Sequence, residues 1–262
     1  MIGIFDSGAG GLTALKAIHK VLPSYDLIYF GDTARFPYGT QSPPTLSRYA
    51  EEDATFLMAK GAKLIVIACN SASAVAGEHL KKELKIPVFD VIGPAVAEAK
   101  RLTKNGRIGI IGTRATVNSG VYELLLKNNG GHYKVITRAA PLLVPLVEER
   151  WIKRPETRRI IRYYLRPLKD ARVDTLILGC THYPILQKQI EIVMGKKVKV
   201  INPAMAVAES LKKYLEENKT VDSTLGRSGK VIFFVSAEAK HFQKTAEWWL
   251  GERVEVEEAI SY

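Results

Sequence analysis

Short apolar runs alternate along the whole chain with longer stretches of helical periodicity. Several of the short runs, such as Leu64–Ala68, are apolar at every position, which is typical of strands covered on both faces in a parallel sheet. The longer stretches, such as Leu12–Leu22, repeat their apolar residues at helical spacing and predict helices packed against those faces. This alternation predicts an α/β fold built from βαβ units.

The pattern places each predicted element in a definite part of the chain. The predicted strands are Ile2–Phe5, Asp26–Phe30, Leu64–Ala68, Pro87–Val91, Arg107–Ile111, Tyr133–Thr137, Thr175–Leu178, Lys197–Ile201 and Val231–Val235. The predicted helices are Leu12–Leu22, Thr45–Lys60, Ala72–Leu84, Pro94–Leu102, Val117–Lys127, Glu156–Leu168, Pro184–Val193, Ala204–Glu217 and Ala237–Leu250.

The two halves of the sequence show a weak repeat. Ile2–Gly8 resembles Ile108–Thr113, and further along each half an apolar strand ends in a cysteine, Cys69 or Cys180. The repeat predicts two related α/β domains that face each other. With a crossing near Gly93-Pro94 and a return near Asn202-Pro203, we expect a discontinuous first domain, 1–93 plus 204–262, and a second domain, 94–203.

Composition narrows the class of protein. Apolar residues make up 47% and charged residues 25% of the chain, a globular balance, and no apolar run approaches the length of a membrane span. The N-terminus does not have the pattern of a secretory signal, and two cysteines are too few for a disulfide scaffold. Membrane, fibrous, disordered and disulfide-rich classes are therefore excluded, and we expect a cytoplasmic protein without a membrane partner.

The net charge of +11 would attract anions such as nucleic acid, phosphates or a dicarboxylate substrate. Basic residues concentrate in the segment 150–172, where Arg158, Arg162, Arg166 and Lys169 follow one helical stripe and an apolar stripe runs beside it. We interpret this segment as an amphipathic helix with a solvated basic face. Nucleic acid is not an expected partner, although a secondary DNA-binding role through 150–172 stays open as an alternative.

The two cysteines carry the sharpest chemical signal. Cys69 and Cys180 each come just past a predicted strand, where ligands bind in open parallel sheets, and each is followed by a polar residue. A cytosolic disulfide would be unusual, and a zinc site would need more ligands than nearby His182 supplies. Proton chemistry at one carbon remains, with a thiolate on one face of a stereocentre and a thiol on the other.

Other polar residues lie in loops at the same predicted ends of strands. The loop Asp6–Thr13 is rich in glycine and precedes a helix. Such a loop could bind an anion at the helix N-terminus, or it could be only a tight turn between strand and helix. Asp32 and Tyr38 could bind substrate or cap the following helix. His182 and Glu148 could assist proton transfer or serve the fold alone.

These motifs together resemble the glutamate racemases of the cofactor-independent aspartate/glutamate racemase superfamily. The resemblance covers almost the whole chain in family order. The matching stretches are Phe5–Thr13, Gly31–Gly39, Ala68–Ser73, Gly112–Thr116 and Leu178–Pro184. It implies two related three-layer domains with mainly parallel sheets, an active site in the interdomain cleft, no cofactor and no metal.

The resemblance also implies roles for individual residues. Cys69 and Cys180 would be the two catalytic bases, with Asp6, His182 and Glu148 assisting proton transfer. The substrate glutamate would be bound by Asp6, Ser7, Pro37, Tyr38, Gly39, Asn70, Ser71, Thr113, Thr116, Thr181 and His182. D-Glutamate would supply bacterial peptidoglycan synthesis, and the protein would be a homodimer.

Two departures from the family pattern stand out. Ser71 replaces the usual threonine but keeps the hydroxyl, and Asn202 stands near a position that is usually acidic. A racemase of another substrate in the superfamily, aspartate or a hydantoin, is one alternative. Aspartate and glutamate differ by one methylene, which is worth only about 1–3 kcal/mol in a pocket, so spacing leaves this choice open. The resemblance also leaves open a secondary role in which the basic segment 150–172 binds DNA or DNA gyrase.

Overall fold

The computed structural model describes residues 1–128 and 132–259 of the chain, and two parallel sheets organise them. The strands are β1 (Ile2–Asp6), β2 (Leu27–Gly31), β3 (Leu64–Ile67), β4 (Val88–Asp90), β5 (Arg107–Gly112), β6 (Lys134–Ala139), β7 (Thr175–Gly179), β8 (Lys199–Ile201), β9 (Val231–Val235) and β10 (Val256–Glu258). The first sheet has the order β10-β9-β2-β1-β3-β4 and the second β6-β5-β7-β8.

Helices cover both sheets, as the sequence pattern predicts. They are α1 (Leu12–Val21), α2 (Pro43–Ala59), α3 (Asn70–Glu83), α4 (Ile92–Leu102), α5 (Arg114–Asn118), α6 (Val121–Lys127), α7 (Leu143–Glu148), α8 (Pro155–Asp170), α9 (Gln187–Met194), α10 (Pro203–Glu217), α11 (Lys219–Asp222) and α12 (Ala239–Leu250). The central strands β1, β2, β3 and β7 are buried at every position. The predicted α/β class is therefore confirmed.

The chain enters and leaves the first sheet in a way that fits the predicted discontinuous domain. β1 to β4 come from the first ninety or so residues, and β9 and β10 return to the same sheet from the C-terminal part. The second sheet is built entirely from strands between Arg107 and Ile201. The domain limits 1–93, 94–203 and 204–262 themselves stay a prediction, and residues 260–262 lie outside the described part of the chain.

Two predicted helices differ from the structure, and some short elements were not predicted. The predicted helix Val117–Lys127 is divided into α5 and α6, because Gly120 has a φ of +67° and interrupts the helical backbone. The helix predicted from Pro184 begins with a 3₁₀ turn, Tyr183–Leu186, before α9. The pattern also missed the short elements α7, α11 and β10, which have too few residues to show a period.

Two other features concern the periphery of the fold. The Asn202 side chain accepts a hydrogen bond from Ala204 N at 3.0 Å and caps α10, which gives this departure from the family pattern a structural role. Helix α8 buries Ile161, Leu165 and Leu168, as its amphipathic pattern predicts. Within 1–128 and 132–259, no helix is long and apolar enough to span a membrane.

Candidate active site

A small cavity lies between the carboxyl ends of strands from both sheets. β1 and β3 lead to Ser7 and Cys69 on one side, and β5 and β7 lead to Thr113 and Cys180 on the other. The cavity measures about 110 Å³, far below the roughly 300–1,000 Å³ of pockets for drug-sized ligands, so it suits a molecule of amino-acid size. Its lining is Ser7, Phe36, Pro37, Tyr38, Gly39, Thr40, Cys69, Asn70, Ser71, Thr113, Arg114, Pro141, Val144, Cys180, Thr181 and His182.

Most of the residues singled out in the sequence come together at this cavity. Asp6, Asp32, Thr116 and Glu148 are the exceptions, since each lies outside the lining and contacts a lining residue. The sequence reasoning missed Phe36, Thr40, Arg114, Pro141 and Val144. Arg114 directly follows Thr113 and could have been found by adjacency, whereas Pro141 and Val144 belong to the region of the unpredicted helix α7.

On one side of the cavity, Cys180 forms a chain of polar contacts with a histidine and a glutamate. The Cys180 Sγ lies 3.9 Å from His182 Nδ1, and His182 Nε2 pairs with Glu148 Oε1. Burial by itself would lower the pKa of His182, but its hydrogen bonds to Cys180 and Glu148 outweigh burial and raise the pKa to about 10. The imidazolium form of His182 therefore persists at neutral pH and can donate to a thiolate at Cys180.

On the other side, Cys69 has different surroundings. Its thiol donates a hydrogen bond to Ser7 Oγ at 3.9 Å, and the side chain is buried just before the N-terminus of α3. Burial, followed by the negative charge of Asp6, raises the pKa of Cys69, which keeps this residue a thiol. The two cysteines therefore have unlike surroundings: Cys69 is held as a thiol, and Cys180 lies beside the His182 imidazolium.

Asp6 lies beneath the first loop and links the two sides. Gly8 N donates to Asp6 Oδ2 at 3.1 Å, and Thr181 Oγ1 donates to Asp6 Oδ1 at 3.4 Å. Burial raises the pKa of Asp6, while the positive charge of His182 opposes that shift. Asp6 does not line the cavity, but its charge acts on His182 on one side and on Cys69 on the other.

The glycines of the first loop allow the two halves to meet. A Cβ on Gly10 would lie 2.3 Å from Thr181 Oγ1 and 2.6 Å from His182 Nδ1. Thr13 Oγ1 also donates to Thr181 O at 3.0 Å. The loop therefore packs against the Thr181-His182 segment, and this close approach explains the glycine better than a bound anion does.

Hydroxyl and amide groups complete the wall between the cysteines. Ser71 Oγ lies 2.9 Å from Thr113 Oγ1, which in turn donates to Thr116 Oγ1 at 3.0 Å. Asn70 Nδ2 donates to Tyr122 OH at 3.1 Å. Ser71 thus has a hydroxyl at the position of the family's threonine, and this hydroxyl contacts Thr113. Thr116 in turn holds Thr113 in place.

Tyr38 lines the cavity, but the hydrogen-bond partners of its hydroxyl, Asp32 and Asp53, lie outside the lining. The hydroxyl donates to Asp32 and to Asp53 Oδ2, and Arg35 pairs with both carboxylates. Burial and the charge of Asp32 raise the pKa of Asp53 well above its usual range. The network anchors the segment that carries Pro37, Tyr38 and Gly39, so Asp32 acts through the loop rather than as a cap of α2.

Replacing Tyr38 by phenylalanine is expected to lower the free energy of unfolding by about 1–3 kcal/mol, because two buried carboxyl groups lose their hydroxyl donor. Urea unfolding measures this loss. Tyr163→Phe is the matched control, since Tyr163 is 64% exposed and the loss of its hydroxyl should change the free energy of unfolding little. An unfolding free energy of Tyr38→Phe equal to that of the native protein would contradict the anchoring role.

The cavity is suited to acid–base chemistry on a small polar molecule. Cys69 and Cys180 both line it from opposite sheets, and both are free thiols. Within the described residues, no group of three or more histidine, cysteine, aspartate or glutamate side chains is placed to hold a metal ion. The groups at hand can move a proton to or from either side of a bound carbon atom.

Comparison with known proteins agrees with this geometry. The family model described as Asp/Glu/Hydantoin racemase matches residues 12–211. A glutamate racemase of Aquifex aeolicus (strain VF5) is 46% identical over 254 residues, which are 97% of this chain and 95% of that relative.

Solved structures show the same likeness over nearly the full chain. Glutamate racemase isoform RacE1 from Bacillus anthracis has a TM-score of 0.93 at 36% identity, covering 99% of this chain and 97% of that one. Glutamate racemase from Francisella tularensis subsp. tularensis SCHU S4, in complex with D-glutamate, has a TM-score of 0.89 at 36% identity, with the same coverage. The two-domain α/β architecture predicted from the sequence is thereby confirmed.

Proposed function

The chain belongs to the Asp/Glu/hydantoin racemase family, and on that premise we propose that Cys69 and Cys180 interconvert L-glutamate and D-glutamate by a two-base mechanism. The protein is an isomerase that acts on glutamate, as its relatives and structural neighbours are. The observation that carries the mechanism is the placement of both thiols on one small cavity, reached from two different sheets.

In this mechanism one sulfur removes the α-proton as a thiolate and the other returns a proton as a thiol. The C–H bond breaks on one face of the α-carbon, and a new C–H bond forms on the opposite face. The first cysteine ends as a thiol and the second as a thiolate, so no proton is gained or lost overall. Reaction in the other direction exchanges the two roles, which matches a cavity with one thiol on each side.

The neighbouring residues supply orientation and charge. The His182 imidazolium donates to Cys180 when that sulfur is a thiolate, and Glu148 orients the ring through its other nitrogen. Beside Cys69, Ser7 accepts the hydrogen bond of the thiol, and the negative charge of Asp6 favours the protonated form that can return a proton to the α-carbon. The Asn70-Ser71 start of α3, with Thr113 and Thr181, offers N–H and O–H donors for the substrate carboxylates.

The remaining parts of the proposal concern the cellular setting. D-Glutamate fits a supply role for peptidoglycan synthesis, consistent with the family. Two free catalytic thiols would be kept reduced in the cytoplasm, which supports that location. A homodimer follows from the resemblance alone and is tested by sedimentation equilibrium. The basic face of α8 stays a solvated surface in this proposal.

Circular dichroism of purified protein mixed with L-glutamate tests the function directly. We expect the optical signal to decay to zero without added pyridoxal phosphate or metal. L-Aspartate is the matched control, and it should be turned over much more slowly. Turnover of aspartate in preference to glutamate would leave the fold and the two-base chemistry intact but make the proposed substrate wrong.

Replacing Glu148 by glutamine is expected to shift the alkaline limb of the pH profile to lower pH. Because Glu148 helps to raise the pKa of His182 to about 10, its neutral replacement lowers that pKa, and the imidazolium is lost earlier as pH rises. We expect the alkaline limb of kcat/KM to move down by about one pH unit or more. The neighbouring Glu149→Gln is the control, and an unmoved limb in Glu148→Gln would contradict the assignment.

A further inference from the structure

The only arginine or lysine that lines the cavity in the described chain is Arg114. This residue begins α5 directly after Thr113, whose hydroxyl accepts a hydrogen bond from Thr116 N at 3.1 Å and fixes the start of the helix. The Arg114 side chain is exposed, and within the described residues it forms no hydrogen bond or ion pair. Its guanidinium is therefore free to interact with a molecule that approaches the cavity.

Arg114 also lies where the cavity meets a second, outer one. The outer cavity measures about 310 Å³ and shares Gly39, Thr40 and Arg114 with the inner cavity. Within the described residues, neither lining contains an aspartate or glutamate. A molecule that passes from the outer to the inner cavity therefore meets a positive charge with no carboxylate beside it in either lining.

We propose that Arg114 attracts carboxylates into the cavity and so raises the rate at which the substrate reaches the two cysteines. For glutamate, which carries two carboxylates and a net negative charge, this role rests on the proposed function. A charge at the mouth of a cleft acts on the encounter step, and its effect decreases as salt is added. Arg114 is in this account a steering residue, with no part in the transfer of protons.

Alkylation of the cysteines tests this role without glutamate. Both cysteines of the chain line the inner cavity, so their alkylation reports on access to it. Iodoacetate carries a negative charge and iodoacetamide is neutral, and the two reagents are otherwise similar in size. The ratio of their second-order rates, followed by mass spectrometry, isolates the electrostatic contribution from changes in thiol reactivity.

In Arg114→Gln we expect the iodoacetate rate to fall about two- to fivefold relative to iodoacetamide at low ionic strength, with a larger fall in Arg114→Glu. The difference in rate ratio between the variant and the native protein should nearly disappear in about 0.5 M NaCl, where charges interact over only a few ångströms. Arg162→Gln removes the same charge from the exposed face of α8 and should leave the ratio unchanged. The kcat/KM for glutamate should fall by a similar factor in Arg114→Gln.

Two results would overturn the inference. The rate ratio of Arg114→Gln could equal that of the native protein at low salt, even with both reagents slowed, or Arg162→Gln could lower the ratio as much as Arg114→Gln does. If the rate ratio differs between the native protein and Arg114→Gln as expected, but the native protein leaves glutamate unchanged, the proposed function would be contradicted and the role of Arg114 would stand. The two failures are therefore distinguishable.

Discussion

Replacement of either Cys69 or Cys180 by alanine is expected to abolish racemisation, with kcat/KM for both enantiomers falling by about 10²–10⁴-fold or more. In the proposed mechanism each sulfur carries the proton on its own side of the cavity, so the loss of one removes either the base that takes the α-proton or the acid that returns it. Both residues are small and buried, and alanine fills most of their volume. Circular dichroism of glutamate turnover measures the loss.

Serine variants provide the matched control for this prediction. Cys69→Ser and Cys180→Ser keep the volume and a hydrogen-bonding group, but a hydroxyl is a far weaker acid than a thiol, whose ordinary pKa is about 8.5. We expect both to be nearly as inactive as the alanine variants while the far-ultraviolet spectrum and thermal midpoint stay close to those of the native protein. An alanine variant with full activity would return the cysteines to a packing role.

The second large effect is expected for His182→Asn. The asparagine side chain cannot carry the positive charge that faces Cys180, so kcat/KM should fall by about 10²-fold. The fall should be the same in both directions, because the two enantiomers of glutamate have equal free energy and the equilibrium constant is one. Kinetics measured from pure L-glutamate and pure D-glutamate give both values.

His79→Asn is the control for the histidine prediction, since His79 lies on the surface and pairs with Glu51. A merely structural role for His182 would lower stability without removing the alkaline limb of the pH profile. We expect His182→Asn to remove the limb near pH 10 and to leave the acid side of the profile in place. Unchanged kinetics in His182→Asn would contradict the proposed contact between the imidazolium and Cys180.

The sequence predicted the frame of the site well because that frame depends on local signals. Apolar runs mark the strands, and parallel strands bring their carboxyl ends to one edge of each sheet. The repeat predicts two domains that face each other, so Cys69 and Cys180, which follow strands of different domains, are expected to meet. The position of Val231–Val235 was predicted to the residue, and most other strands agree within two residues. The helix pattern was equally informative wherever a full apolar stripe was present, as in α8.

The structure was needed for features that depend on distant contacts. Glu148 pairs with His182 only because the short helix α7 carries it there, and α7 has too few residues for a visible period. Tyr38 lines the cavity as expected of a site residue, but the contact of its hydroxyl with the buried carboxyl groups of Asp32 and Asp53 is not visible in the sequence. Burial is also the main cause of the raised pKa of Cys69, followed by the charge of Asp6, and the burial of a side chain by residues distant along the chain is not a local property of the sequence.

Exchange of the α-proton in D₂O tests the two-base claim most directly. Proton NMR would follow L-glutamate and D-glutamate separately with Cys69→Ala and Cys180→Ala. The remaining cysteine reaches only one face of the α-carbon, so each variant should exchange the α-proton of one enantiomer slowly and without inversion, and the two variants should select opposite enantiomers. Exchange of the same enantiomer by both variants, or racemisation by either, would contradict the account.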